Sequence, residues 1–174
     1  MISVGYPHMV LNSHNVPGVE YKMLHTWKVP EQTGAFSMVQ RIASIARSQV
    51  SGSLQTVVFN SHGSPGKIHI GTGITRDNIH QFQSLLLENL VKSIWITACS
   101  VALIKEAGTL KDGNYFCYRL AQESGAFVKA STAIQKAEMN IPIYDDLPFG
   151  TIDDWEGTVL TWNPKGQLIY SETN

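Results

Sequence analysis

Cysteine is scarce in this chain: its 174 residues contain two, Cys99 and Cys117, which can close one bridge at most. No Asn-x-Ser/Thr sequon is present. A disulfide framework and a glycosylated secretory protein are therefore not indicated, and both thiols read as free. Long apolar runs are missing too, since nothing approaches the roughly eighteen consecutive apolar residues of a membrane span. The opening Met1-Ile2-Ser3-Val4-Gly5-Tyr6-Pro7-His8 lacks a basic region followed by an apolar one. The expectation is a cytoplasmic protein, or one delivered into another cell by a route that leaves no cleavable signal. Charge is sparse and balanced, with thirteen Lys plus Arg against fourteen Asp plus Glu and 16% charged residues. Without a basic stripe, nucleic acid is not an expected partner. A hydrophobic content of 43% over this length suits one domain spanning residues 1–174 with a continuous core.

What is present reads as alternating strands and helices. Residues 1–30 look like an irregular arm carrying His8, His14 and His25 as surface or loop histidines, with an edge strand between Val19 and Val29. Phe36, Val39, Ile42, Ile45 and Ala46 recur at helical spacing after Thr33, a possible N-cap, and Ser51-Gly52-Ser53 ends that pattern. Lys67 to Gly71 alternates as a short half-buried strand with His69 outward. Thr75 reads as the cap of a helix that buries Ile79, Phe82, Leu85, Leu86 and Leu90 and leaves His80 exposed. Asp112 reads as the cap of another, which buries Phe116, Cys117, Leu120 and Ala121 before Gly125 stops it. Ala126 to Ala130 reads as a strand, and Asn163-Pro164-Lys165-Gly166 joins two more as a hairpin. Residues 141–157 form an acidic loop holding Asp145, Asp146, Asp153, Asp154 and Glu156, with no Lys or Arg.

The chemistry concentrates where two apolar strands end. One begins at Leu54 and runs through Val57-Val58-Phe59 into Ser61-His62-Gly63, and the other begins at Val91 and runs through Ile94-Trp95-Ile96 into Thr97-Ala98-Cys99. A helical crossover between them predicts parallel neighbours whose carboxyl ends share one edge, where open α/β sheets bind ligands. Histidine beside cysteine suits nucleophilic catalysis, because the thiolate is the reactive form and an imidazole supports it. Gly63 admits close approach to the backbone, and its N–H with that of Cys99 offers an oxyanion hole. The same residues leave other readings open: a buried thiol beside a loop histidine, or zinc held by His62 and Cys99, for which third and fourth ligands are missing.

A strand ending in His-Gly and a later strand ending in Ala-Cys resemble the caspase-like cysteine peptidases, the group that includes caspases, legumain, clostripain, gingipains and the self-cleaving domains of large bacterial toxins. Thr97, Ser100 and Val101 differ from the signature of caspases themselves, which carry their histidine about 50 residues upstream. The separation here, 99 − 62 = 37, is nearer to the bacterial members. The resemblance implies an α/β fold, a caspase-like three-layer sandwich with a mostly parallel sheet and helices on both faces. It implies a thiol protease, a hydrolase that cleaves protein or peptide substrates through an acyl-enzyme on a His62 and Cys99 dyad. Ser131 and Thr132 stand where such enzymes wall the substrate pocket. Asp153 and Asp154 are expected near the same edge, favouring a basic side chain or a calcium ion, although no cofactor is required. A catalytically inactive binding module, or a thiol-dependent deamidase on the same dyad, are the alternatives.

Overall fold

In the computed structural model, residues 1–16, 18–135 and 147–173 are described. In chain order the elements are β1 (Ile2–Ser3), β2 (His8–Ser13), β3 (His25–Val29), α1 (Ala35–Ser48), β4 (Leu54–Asn60), β5 (His62–Ser64), β6 (Lys67–His69), β7 (Ile74–Thr75), a 3-10 turn (Ile79–Phe82), α2 (Gln83–Leu87), β8 (Val91–Ile96), α3 (Gly113–Ser124), β9 (Phe127–Ser131), β10 (Thr151–Ile152), β11 (Thr158–Trp162) and β12 (Leu168–Thr173). A seven-stranded mixed sheet in the order β12-β11-β9-β8-β4-β2-β3 forms the centre. Strands β3, β2, β4, β8 and β9 run parallel to their neighbours, and the β11–β12 hairpin closes the sheet antiparallel against β9. The β4–β8 pair runs parallel in the register Leu54↔Val91 to Phe59↔Ile96, as the crossover reading requires.

Core residues alternate between the two faces of the sheet, as a period of two dictates. Met9, Leu11, Val57, Phe59, Ile94, Ile96, Val128 and Trp162 face a layer made by α1, the 3-10 turn, α2 and α3. Val10, Val58 and Val159 face the other way, where Val4, Tyr21, Met23, Ile152 and Trp155 cover them. All the described helices thus lie on one face. The second face is covered by the β1–β10 pair and irregular chain, which departs from the expectation of helices on both. Short apolar segments such as Val4 and Ile152 suffice there because they seal few sheet positions.

Several local readings hold. Asp112 accepts a hydrogen bond from the Tyr115 N–H at 2.9 Å, and Gly125 at φ 66° terminates α3. Asn163 organises the hairpin loop by accepting from the N–H groups of Lys165 and Gln167 at 3.0 Å each. Others are corrected. Residues 1–30 are no irregular arm, since β2 is buried throughout and sits between β3 and β4. His8 is buried rather than a surface histidine, and its Nδ1 accepts the Leu24 N–H at 3.0 Å. Burial, and then the charge of His25, hold its pKa below the ordinary histidine value. The cap of α1 is Gly34 rather than Thr33. The crossover is shorter than its periodicity suggests. Thr75 lies on β7, Leu86 is exposed, and the helical stretch is a 3-10 turn followed by one short α-helix. Among the described residues no helix is long and apolar enough to cross a membrane.

Candidate active site

Beyond Phe59 and Ile96 the two central strands stay together, the Thr97 N–H donating to the Phe59 carbonyl at 3.1 Å. The chain then diverges into the small antiparallel sheet β5-β6-β7 on one side and the Ala98-Cys99 turn on the other. These meet again at Gly63. A β-carbon there would lie 2.7 Å from the Cys99 carbonyl oxygen, 2.7 Å from Val101 Cγ2 and 2.8 Å from Ala98 Cβ. The glycine is needed for space, so the His-Gly and Ala-Cys stretches are packed against one another. Ser100, next to the cysteine, has φ 51°, a left-handed conformation that costs about 1–2 kcal/mol in a residue other than glycine. Its N–H is committed to the Ala133 carbonyl at 2.7 Å. The Cys99 N–H is bonded to no described residue.

His62 is exposed and lies directly across the β5–β6 pair from His69. Its neighbour Ser61 is buried and donates from Oγ to the His62 carbonyl at 2.9 Å, which fixes the backbone at the strand exit. His69 is exposed, as the alternation of β6 predicts, and its Nε2 shares a 2.8 Å hydrogen bond with Ser64 Oγ. Partial desolvation, and then the charges of Lys67 and His62, hold the His69 pKa below its ordinary value. The half-buried Cys99 thiol donates to the Gln135 carbonyl at 3.4 Å, and no described hydrogen bond joins it to His62. Cys117 is fully buried on the inner face of α3, and burial pushes its thiol pKa far up.

Ser131 and Thr132 stand beside the cysteine turn as expected, but their hydroxyls are turned to the fold. Ser131 is buried, donating from Oγ to the Glu156 carbonyl at 2.6 Å and accepting the Ala133 N–H at 3.0 Å. Thr132 Oγ1 donates to the Thr158 carbonyl at 3.2 Å. Gln135, which sequence reasoning passed over, extends this wall: its amide nitrogen donates to the Glu156 carbonyl and its Oε1 accepts the Glu156 N–H, both at 3.1 Å. A polar signal hints at it only in retrospect, as a glutamine shortly after a strand end.

On the other flank, buried Asn12 and Asn60 clamp a passing segment over the ends of β2 and β4. Asn12 exchanges hydrogen bonds with the Tyr21 backbone at 3.0 and 3.1 Å, and Asn60 donates to Asn12 Oδ1 at 2.8 Å and to the Val19 carbonyl at 2.9 Å. The clamped Tyr21 is bonded to the Thr97 side chain and the Asp153 backbone. Burial, and then the Asp153 charge, push its pKa up to about 12. Asp153 therefore lies near the edge that carries Cys99. Asp154 instead pairs with the N-terminal ammonium group. Asp145 and Asp146 fall outside the described residues. Among the described residues no group of three or more His, Cys, Asp or Glu could hold a metal ion, and the two described aspartates serve different partners.

No family model, curated protein or solved structure matches this chain.

Proposed function

We propose that this protein is a cysteine endopeptidase of the caspase-like kind, acting on peptide bonds through His62 and Cys99. One observation carries the reading: Gly63 packs on the Cys99 carbonyl, so the two strand-end motifs form one surface at the carboxyl edge of a parallel pair. Ser100 adds support, because a residue held at positive φ beside a nucleophile is the kind of strain that persists where the surroundings require it. The finer assignment of fold, a caspase-like sandwich, belongs to the same proposal; the parallel core sheet supports it, and its point of difference is a second face that carries no helix among the described residues.

In this reading His62 takes the proton from Cys99 Sγ, and the thiolate adds to the scissile carbonyl carbon. The negative oxygen that forms faces the Cys99 N–H and the Gly63 backbone. Collapse breaks the C–N bond as His62 returns the proton to the leaving amine, leaving a thioester. Water, deprotonated by His62, then releases the acid and restores the thiol. His62 stands one residue from the Gly63 contact, and no hydrogen bond to a described residue ties its exposed ring in place.

A non-catalytic binding module is the second reading, favoured by the thiol donating to Gln135 rather than to His62. The test is incubation with a peptide library carrying varied side chains, followed by product masses. Two fragments summing to substrate plus water identify proteolysis. A gain of about one mass unit at an intact glutamine identifies deamidation on the same dyad. Activity that is absent in the wild type, or that persists in Cys99→Ala, overturns the proposal.

A further inference from the structure

The connection from β2 to β3 recrosses the second face of the sheet and is pinned at both ends. At the carboxyl edge, Asn60 donates to the Val19 carbonyl at 2.9 Å and the Tyr21 N–H donates to Asn12 Oδ1 at 3.1 Å. Tyr21 and Met23 are buried along the way with Val10 and Val58. At the amino edge the pin is His8, the first residue of β2, whose Nδ1 accepts the Leu24 N–H at 3.0 Å. Tyr6 and Phe149 enclose its ring, their centroids 5.7 and 5.6 Å away, and a β-carbon on Gly150 would lie 2.9 Å from its Nε2. Gly150 is tied to the same connection, its N–H donating to the Lys22 carbonyl at 2.8 Å, and its own carbonyl accepts the Val4 N–H at 2.9 Å.

The two pins differ in chemistry. Side-chain amides keep the same donors and acceptors at every working pH, whereas an imidazole that accepts at Nδ1 is neutral, and one more proton makes both its nitrogens donors. The new Nδ1–H would meet the Leu24 N–H, donor against donor, in a buried place. We propose that His8 is an acid-sensitive latch: neutral, it holds residues 22–24 and 149–152 against the second face, and protonated it lets them go while the Asn12 and Asn60 pin stays shut. Burial is the main obstacle to charge on the closed ring; the His8 carbonyl offsets part of it, and the charge of His25 on β3 adds to it. Among the described residues the other titratable group against the ring is Tyr6, while β4 places Thr56 across from His8 and the 149–150 stretch offers only Phe149 and Gly150. The closed ring thus resists a proton that the open, solvated one accepts. Closure is complete above about pH 6.5 and weakens as the pH falls below it. Asp153 follows the released stretch and acts on Tyr21, which is bonded to Thr97, so release loosens the flank of the edge that carries Cys99.

The latch does not depend on Cys99 being a nucleophile, and its test needs no turnover. Amide hydrogen exchange is followed residue by residue by NMR between pH 7 and pH 5 in wild type and His8→Asn, and compared as protection factors so that the pH dependence of the exchange chemistry drops out. In wild type the protection of Leu24, Gly150 and Val4 falls about tenfold for each pH unit below about 6.5, until the closed ring itself takes up a proton. The Tyr21 amide, held by Asn12, and the amides of α1 keep theirs. His8→Asn, which retains an acceptor for Leu24 but does not titrate, loses the fall; His8→Gln takes its place if that variant does not fold. Protection of Leu24 and Gly150 that is the same at pH 7 and pH 5 overturns the latch. So does a fall shared equally by Tyr21 and α1, which is global unfolding, or a fall of wild-type size in a folded variant. Where neither variant folds, the wild-type contrast between Leu24 and Tyr21 decides.

Discussion

A methyl group at position 63 has no room. Backbone oxygen lies on one side of the site and the Val101 and Ala98 side chains on the others, all under 3 Å from where it would stand. Gly63→Ala is therefore expected to lose about 1–3 kcal/mol, the usual range for overpacking, and to displace the Cys99 turn, slowing alkylation and any turnover. Gly34→Ala is the contrast, with nothing within 4 Å of the added carbon and a cost below about 1 kcal/mol as an N-cap change. Urea denaturation of both variants checks the pair. Equal stability of the two would show that the His-Gly and Ala-Cys stretches are not packed as described. A second expectation at this scale concerns pH. His8 and His69 have folded pKa values below those of the unfolded chain, so the unfolded state binds more protons in the acid range. Stability is full above about pH 6.5 and falls as the pH drops through the depressed values. In His8→Asn, whose side-chain oxygen accepts the Leu24 N–H without titrating, the loss between pH 7 and pH 5 should shrink. An unchanged slope would remove His8 from the account.

Among the elements, α3 depends on its first residue outside the helix. Asp112 accepts from the Tyr115 N–H at 2.9 Å and from the Gly108 N–H at 2.8 Å. Asp112→Ala is expected to cost about 1 kcal/mol and Asp112→Asn much less, read as shifts in the denaturation midpoint. The cap and the αL glycine at Gly125 were legible in sequence because their chemistry is local. So were β4 and β8, whose β-branched and aromatic runs are buried through Val57-Val58-Phe59 in the first and at Ile94 and Ile96 in the second. Strand β2 was not legible. Only Met9-Val10-Leu11 are apolar, and Asn12 and Ser13 read as loop until Tyr21 and Asn60, far along the chain, are seen to satisfy Asn12. Periodicity also overstated α2, because Leu86 fits the helical stripe but faces solvent, and Asn89 at φ 53° ends the segment early.

For the whole molecule, the parallel order β3-β2-β4-β8-β9 delivers several strand ends to one edge, which is why motifs far apart in sequence meet there. His62, Gly63 and Cys99 were legible as candidates because the chemistry belongs to their own atoms. Gln135 was not, since it reaches Cys99 through a main-chain carbonyl that every residue possesses. Tyr21 escaped notice for another reason: only the clamp by Asn12 and Asn60 brings it between Thr97 and Asp153. The acidic loop, read as one uncompensated cluster, divides in its described part between a tyrosine and an amino terminus, a division that charge density in sequence does not reveal.

The central claim is that Cys99 is a nucleophile supported by His62. The most direct measurement incubates wild type, His62→Ala and Cys99→Ala with peptidyl electrophiles bearing Arg, Lys, Asp, Asn or Leu beside the warhead, then locates adducts by mass spectrometry. The account predicts one adduct, on Cys99, formed faster with at least one of these side chains than with the rest and slowed by orders of magnitude without His62. Modification of Cys117 with Cys99 spared, or labelling of Cys99 at the same rate in wild type and His62→Ala, would contradict it.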